Sequence, residues 1–252
     1  MIDHELLRSE IAQHPYPLVF ATISGAHLYG FPSPDSDYDL RGVHLLPVEE
    51  TLGLLPKKET IEVETVRNGV EIDLVTHDAA KFFSLMLKRN GYVLEQLYSP
   101  LVVQSSPAFQ ELTAIGFKCI TRHHVHHYLG FAATQWGLFE KENPPRVKPL
   151  LYVYRVLLTG IHLMKTGQVE ANLSNLNAEY RLPCVDDLIA LKKGSKEQAT
   201  IDDGSRELHI AEYRRLRAML EKSGAESSLR EEPEALGSLN DLLVRLRLGQ
   251  SL

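Results

Sequence analysis

Two aspartates stand two residues apart in the run Asp35-Ser36-Asp37-Tyr38-Asp39-Leu40-Arg41-Gly42, shortly after Ser24-Gly25-Ala26-His27-Leu28-Tyr29-Gly30. Residues two apart on a strand leave the same face, so a strand here sets the Asp37 and Asp39 carboxylates side by side. Such a pair repels unless a proton or a cation lies between its members. A hard divalent cation with oxygen ligands, most naturally Mg²⁺, resolves that repulsion. A third acid, Asp73, sits between Ile72 and Leu74 in a later β-rich run. An acid flanked by apolar residues in mid-strand is expensive to bury without a partner. If the two strands are neighbours, Asp37, Asp39 and Asp73 converge on one site. Two plainer readings stay open at this level: Pro-Asp-Ser-Asp is also turn chemistry, and Asp73 could pair with Arg41 in a structural salt bridge.

The elements that must position these acids can be read from the flanking pattern. Leu18 to Ile23 is a short apolar run rich in β-formers that ends at Ser24-Gly25, consistent with a buried strand. Gly25-Ala26 then opens a helix, whose free backbone N–H groups form a natural phosphate cradle. Gly30 to Ser36 is dense in turn formers, and Tyr38 to His44 reads as a second strand. Thr60 to Arg67 and Val70 to Thr76 flank Asn68-Gly69, a strong hairpin signal. A helix is expected from Asp78, stopping at Asn90-Gly91, and another over Glu5 to Gln13. Beyond residue 116 the pattern is helical: Lys118 to Lys141, Arg146 to Lys165, Val185 to Lys193, Glu207 to Lys222 and Leu236 to Leu248. The expected architecture is an α+β domain with a mixed sheet, residues 1–115, followed by an all-α domain, residues 116–252.

The combined order Gly25, Gly30, Asp37-x-Asp39 and Asp73 resembles the nucleotidyltransferase superfamily of DNA polymerase β. Tyr29 to Gly42 and Asn90 to Ser99 are most similar to the branch described as RNA-repair-pathway-associated polymerase-β-like nucleotidyltransferases. The core motif covers residues 24–42, and looser similarity extends to about residue 160. The resemblance implies a nucleotidyltransferase domain closed by the helical domain, moving a nucleoside monophosphate from an NTP to an acceptor hydroxyl with release of pyrophosphate. It implies that Asp37 and Asp39 hold two Mg²⁺ ions (or Mn²⁺). Asp73 helps bind the ion near the attacking oxygen and could accept the acceptor's proton. Ser24, Gly25, Ala26, His27, Gly30, Ser36 and Arg41 become candidates for nucleotide binding. Lys148, Tyr152 and Arg155, at i, i+4 and i+7 on one helical face, are candidates to clamp the triphosphate. The acceptor implied is an RNA end, such as a tRNA 3′ terminus, with a protein or a small molecule as alternatives.

Other features bound this reading. The superfamily commonly has Ser after the motif Gly, where this chain has Ala26; a lost neutral hydrogen bond costs about 0.5–1.5 kcal/mol. Ala26 alone favours a catalytically silent module that binds nucleotide or metal. Arg41 is read either as a phosphate contact or as a packing cation on the face away from Asp39. His27 touches nucleotide or caps its helix, and Asn90 and Glu95 either resemble family positions or serve capping and packing. Glu64 and Glu71 are expected to face solvent. His123-His124-x-His126-His127 invites a zinc reading, but no third ligand is suggested nearby, and a histidine-rich helix surface is the plainer explanation. The 252 residues are 44% hydrophobic and 24% charged, an ordinary globular balance that excludes a disordered or fibrous chain. The net charge of −6 divides into 8 basic against 16 acidic residues over 1–115 and 19 against 17 thereafter. Neither part has the basic excess of a protein that grips nucleic acid by charge alone. Two cysteines, an acidic N-terminus and the lack of a long apolar run point to a reducing, cytoplasmic home.

Overall fold

The structure, a computed structural model, describes residues 2–55, 58–194, 199–201 and 203–250. The chain runs α1 (His4–Ile11), β1 (Leu18–Ile23), α2 (Gly25–Tyr29), β2 (Tyr38–His44), α3 (Val48–Leu52), β3 (Thr60–Arg67) and β4 (Val70–Asp78). Next come α4 (Ala79–Leu87), α5 (Gly91–Leu97), β5 (Val102–Ser105) and α6 (Pro107–Gly116). Then come α7 (His124–Lys141), α8 (Val147–Thr166), α9 (Leu173–Tyr180), α10 (Pro183–Gly194) and α11 (Arg206–Glu226), before a last helix, α12 (Leu236–Arg247). The expected mixed sheet with helices, followed by helical segments, is what forms.

The chain divides into two compact units that are interleaved in sequence. The first comprises Met1–Gly25, Asp37–Cys119 and Glu232–Leu252. Its sheet has the order β3-β4-β2-β1-β5, with β2 and β4 parallel and the other neighbours antiparallel. The β3–β4 hairpin turns on Asn68 and Gly69, both at positive φ (53° and 79°), as a type I′ turn requires. One sheet face is sealed by Leu7, Ile11, Ile23, Leu40, Ile72 and Leu74. On the other, Phe20 and Val43 meet Phe82, Met86, Leu97 and Leu112, together with Leu239, Leu242 and Leu246 of α12. The buried Asp78 ties these layers together: its carboxylate caps α4 at Ala80 N (3.0 Å), accepts from Leu46 N (3.1 Å) and accepts from Arg247 Nη2 of α12 (2.6 Å).

The second unit comprises Ala26–Ser36 and Ile120–Glu231. Its centre is α8, against which α7, α9, α10 and α11 pack. Leu150, Leu151, Val153, Tyr154, Leu157, Leu158 and Ile161 of α8 are all buried, so the helix has no broad solvated face. Trp136 of α7 stacks on Tyr213 of α11, ring centres 4.3 Å apart.

The compact units therefore differ from contiguous halves divided at residue 116. The stripe Leu239, Leu242 and Leu246 carries α12 into the sheet unit, and the buried Leu28, Tyr29 and Phe31 carry 26–36 into the helical one. Three further expectations change. The helix expected from Lys118 begins at His124. Asn90 does not stop α4 but opens α5, its Oδ1 accepting from Tyr92 N at 2.9 Å. β5, α6 and α9 were absent from the sequence pattern read above and are present.

Candidate active site

The first unit assembles its chemistry where β1, β2 and β4 lie side by side. Asp39 and Asp73 are register partners on the parallel strands β2 and β4, so both side chains leave the sheet on the same face. Leu40 and Leu74, one residue on, point the other way into the core. The convergence expected of these two carboxylates is therefore built by strand pairing. Asp37 sits just ahead of β2, half-buried, rather than on the strand itself. Alternation along a strand therefore does not fix its side chain beside Asp39.

Between Asp39 and Asp73 lies Arg41. Its Nη2 donates to Asp39 Oδ1 at 2.7 Å and to Asp73 Oδ2 at 2.9 Å. Its Nη1 donates to the carbonyls of Leu40 (2.9 Å) and Asp73 (2.8 Å), and its Nε donates to Tyr92 Oη at 3.0 Å. The reading that placed Arg41 on the face away from Asp39 is corrected here: residues 39 and 41 are i and i+2 on one strand, and so share a face. Burial works to lower the guanidinium pKa, and Tyr92, Asp39 and Asp73 more than reverse it, leaving it raised. The repulsion anticipated between neighbouring carboxylates is thus answered by a fixed cation of the protein's own.

Gly25 closes the other side. It holds φ at +59°, and a Cβ on it would stand 1.7 Å from Asp39 Oδ2. Only glycine permits both the left-handed backbone and the approach of that carboxylate. Ser24 N donates to the Asp39 carbonyl at 2.7 Å, locking β1 to β2 at this point. Ser24 Oγ is buried and finds no hydrogen-bond partner among the described residues. A buried hydroxyl left in this state, next in sequence to Gly25, is a ready contact for a ligand.

Could these residues hold a divalent cation? The donors are all carboxylate oxygens, the set a hard cation takes. Among the described residues no group of three His, Cys, Asp or Glu side chains is gathered to hold a metal ion. The donor chemistry fits, with Asp39 and Asp73 as the paired core and Arg41 as the group a metal would have to share them with.

The remaining candidates lie in the second unit. Ala26, His27 and Gly30 are on or just after the short α2; Gly30, at φ +88°, packs so tightly on Asn172 that a Cβ would meet its Oδ1 at 2.5 Å. Ser36 Oγ accepts from Ser33 N at 2.9 Å. Tyr152 packs edge-on against Tyr29 and Phe31, with ring centres 5.5 and 5.7 Å away. Arg155 is 2% exposed, and its guanidinium lies 4.0 Å from the centre of the Tyr29 ring. Lys148, Tyr152 and Arg155, spaced to share one helical face, therefore do not form one solvated basic face. Lys148 is half-buried, and Arg155 is an interior cation under an aromatic lid. His127 is pushed down to about 4 by burial and by Arg155, and His123 Nε2 pairs with Glu231 at 2.7 Å. Glu64 and Glu71 face solvent as expected, while Glu95 is buried. Tyr92 went unnoticed in the sequence; its only signal is its place two residues after the capping Asn90.

The model of a family described as "RlaP: RNA repair pathway DNA polymerase beta family" matches residues 1–245. The uncharacterized protein MJ0002 of Methanocaldococcus jannaschii is 31% identical over 233 residues, 91% of this chain and 94% of its own length. The uncharacterized protein YcgL of Bacillus subtilis strain 168 is 28% identical over 179 residues, 67% of this chain and 64% of that one. A crystal structure of a nucleotidyltransferase-like protein from Exiguobacterium sibiricum 255-15 is 16% identical, with a TM-score of 0.33 over 96% of this chain and 90% of its own.

Proposed function

The chain belongs to the RNA repair pathway DNA polymerase beta family, and on that premise we propose that it transfers a nucleoside monophosphate from an NTP to an acceptor hydroxyl, releasing pyrophosphate. The observation that carries the reading is the Asp39–Asp73 pair, set in register on adjacent parallel strands beside a glycine that its own carboxylate neighbour forbids to carry a side chain.

In this reading Asp39 and Asp73, with Asp37, hold the divalent cations, Mg²⁺ or Mn²⁺. When bound, such ions neutralise the triphosphate and lower the pKa of the attacking hydroxyl. The chain's own groups do the rest. Gly25 lets the backbone come close to a phosphate, and the unpartnered Ser24 Oγ supplies a hydroxyl where Ala26 offers none. Asp73, the more exposed of the two acids, accepts the acceptor's proton. Arg41 keeps both carboxylates aimed before substrate arrives, so that little reorganisation is left for the reaction itself. We propose an RNA end as acceptor, following the family's description, and a cytoplasmic setting. No described helix is long and apolar enough to cross a membrane.

A second reading, a nucleotide-binding module without transfer, is favoured by Ala26 and by the fixed Arg41 cation. Equilibrium binding of Mn²⁺ with and without ATP, followed by electron paramagnetic resonance, tests the site common to both. The proposal expects ATP-dependent Mn²⁺ binding that Asp39→Asn and Asp73→Asn each abolish. Binding unaffected by both substitutions would remove the assignment.

A further inference from the structure

A guanidinium has five N–H donors, no acceptor and no accessible neutral form. Arg41 has an acceptor for each of the five. Nε donates to Tyr92 Oη, Nη1 to the Leu40 and Asp73 carbonyls, and Nη2 to Asp39 Oδ1 and Asp73 Oδ2. Every partner stands on β2, β4 or α5, all within the sheet unit. Three of these contacts, to Tyr92 Oη and the two carbonyls, do not depend on the carboxylates at all. The cation is therefore anchored independently of the acids it neutralises. Its side chain is 12% exposed, against 21% for Asp39 and 32% for Asp73, so it is also the least accessible of the three.

These contacts do not block a ligand, because a carboxylate oxygen that accepts one hydrogen bond keeps a second lone pair. What Arg41 changes is charge. Asp39 and Asp73 carry two negative charges between them, and the guanidinium returns one positive charge. A divalent cation sits about 2.1 Å from a ligating oxygen. Added to the 2.7 Å contact between Arg41 Nη2 and Asp39 Oδ1, that puts a bound ion within about 5 Å of a fixed like charge. Even with the dielectric of water, a repulsion at that distance lowers affinity about tenfold. The same ion delivered with a triphosphate brings its own negative charge, which the guanidinium attracts.

Building on the nucleotidyltransferase reading above, we propose that Arg41 is the built-in counter-ion of the Asp39–Asp73 pair. It is a positioning residue that keeps the pair from holding a free divalent cation and reserves it for a cation that arrives with a triphosphate. A shared proton would also quiet the pair, but it would be lost as pH rose. A guanidinium keeps its charge throughout. Its neutral anchors, Tyr92 Oη and the two carbonyls, hold it in place when an ion does bind.

The test is Mn²⁺ binding by the full-length protein, read from loss of the free-ion electron paramagnetic resonance signal. It is run with and without ATP, and corrected for Mn²⁺ held by ATP in protein-free solution. Arg41→Gln keeps an N–H donor and loses the charge, so it should bind Mn²⁺ alone about tenfold more tightly than the wild type. ATP should then raise the variant's affinity by a smaller factor than it raises that of the wild type. Arg41→Lys, which keeps the charge, should stay near the wild type. The gain should vanish in Arg41→Gln/Asp73→Asn, because the ion gained sits on the pair. Unchanged or weaker Mn²⁺ binding by Arg41→Gln overturns the inference. So does an equal gain in Arg41→Lys, which would make shape rather than charge responsible. Should Arg41→Gln fail to fold, the wild type carries the test through its Arg41 Nε–H nuclear magnetic resonance signal, identified by its loss in Arg41→Lys. Mg²⁺ with ATP should shift that signal, and the same concentration of Mg²⁺ alone should leave it in place; an equal shift with Mg²⁺ alone overturns the inference. If the wild type binds Mn²⁺ neither alone nor with ATP, or binds it unaffected by both Asp39→Asn and Asp73→Asn, the nucleotidyltransferase reading falls, and this inference with it.

Discussion

Replacing Gly25 by alanine sets two separable penalties against each other. The first is conformational: at φ +59° an L-residue costs about 1–2 kcal/mol. The second is steric, because the new Cβ would lie 1.7 Å from Asp39 Oδ2 and 2.6 Å from Asp39 Cγ. No rotamer adjustment of a few tenths of an ångström relieves that, so the Asp39 carboxylate must swing away. In doing so it releases the 2.7 Å contact with Arg41 Nη2, and a hydrogen bond between charged groups is worth about 1.5–3 kcal/mol. Gly25→Ala should therefore destabilise the sheet unit by about 2.5–5 kcal/mol. In an Asp39→Ala background the carboxylate is gone, and only a Cβ contact at 3.0 Å remains. There the same substitution should cost only its conformational part, about 1–2 kcal/mol. The assay is a double-mutant cycle in urea, read by hydrogen exchange in peptides covering β1 and β2, which follows this unit without assuming that the whole chain unfolds in one step. The account predicts a coupling of about 1.5–3 kcal/mol. Strict additivity would refute the claim that the carboxylate packs over Gly25.

Two further outcomes follow from the same unit. His44 is fully buried, its Nδ1 bonded to Thr76 Oγ1 at 2.9 Å and its Nε2 without a hydrogen-bond partner among the described residues. Burial first, then His14, His77 and Arg247, push its pKa from 6.5 down to about 4, against the opposing pull of Asp78. The unfolded chain therefore takes up the proton first as pH falls: stability is full above pH 6.5 and is lost progressively down to pH 4. Between pH 7 and pH 5 this group should remove about 2 kcal/mol, and His44→Asn should flatten that part of the urea-midpoint profile. An unchanged pH profile in the variant would dismiss the assignment. Leu242→Ala, at a fully buried position of α12, should cost about 2–5 kcal/mol. The loss should show in the exchange of β1 and α4 amides. Loss confined to α7 and α8 would place α12 with the wrong unit.

The parts of this protein that were legible in the sequence are those where local chemistry and tertiary structure agree. Asn68-Gly69 demands a type I′ turn, and the hairpin on either side of it forms in full. Asp73 between Ile72 and Leu74 needed a partner, and in register with Asp39 it finds one in Arg41 Nη2 at 2.9 Å. What escaped notice depends on long-range packing. The stripe of α12 looks like that of any amphipathic helix, and nothing local says that its core is a sheet formed far earlier in the chain. Arg155 sits at a spacing that suits a solvated face, yet every residue of α8 from Val153 to Ile161 is buried, so spacing alone misdirected it. Lys192 precedes Lys193 in an apparently ordinary helix terminus. Only the fold reveals that one of the two is buried against Ser33.

The most direct test of the central claim is transfer of label from α-labelled NTPs. The wild-type protein would be incubated with each of the four nucleotides and Mg²⁺ or Mn²⁺, beside separate RNA, protein and small-metabolite fractions. An Asp39→Asn/Asp73→Asn variant would run in parallel. The account predicts covalent label in the RNA fraction, with stoichiometric release of pyrophosphate, and none in the variant. Label that enters no fraction, or that enters equally with the variant, would contradict it.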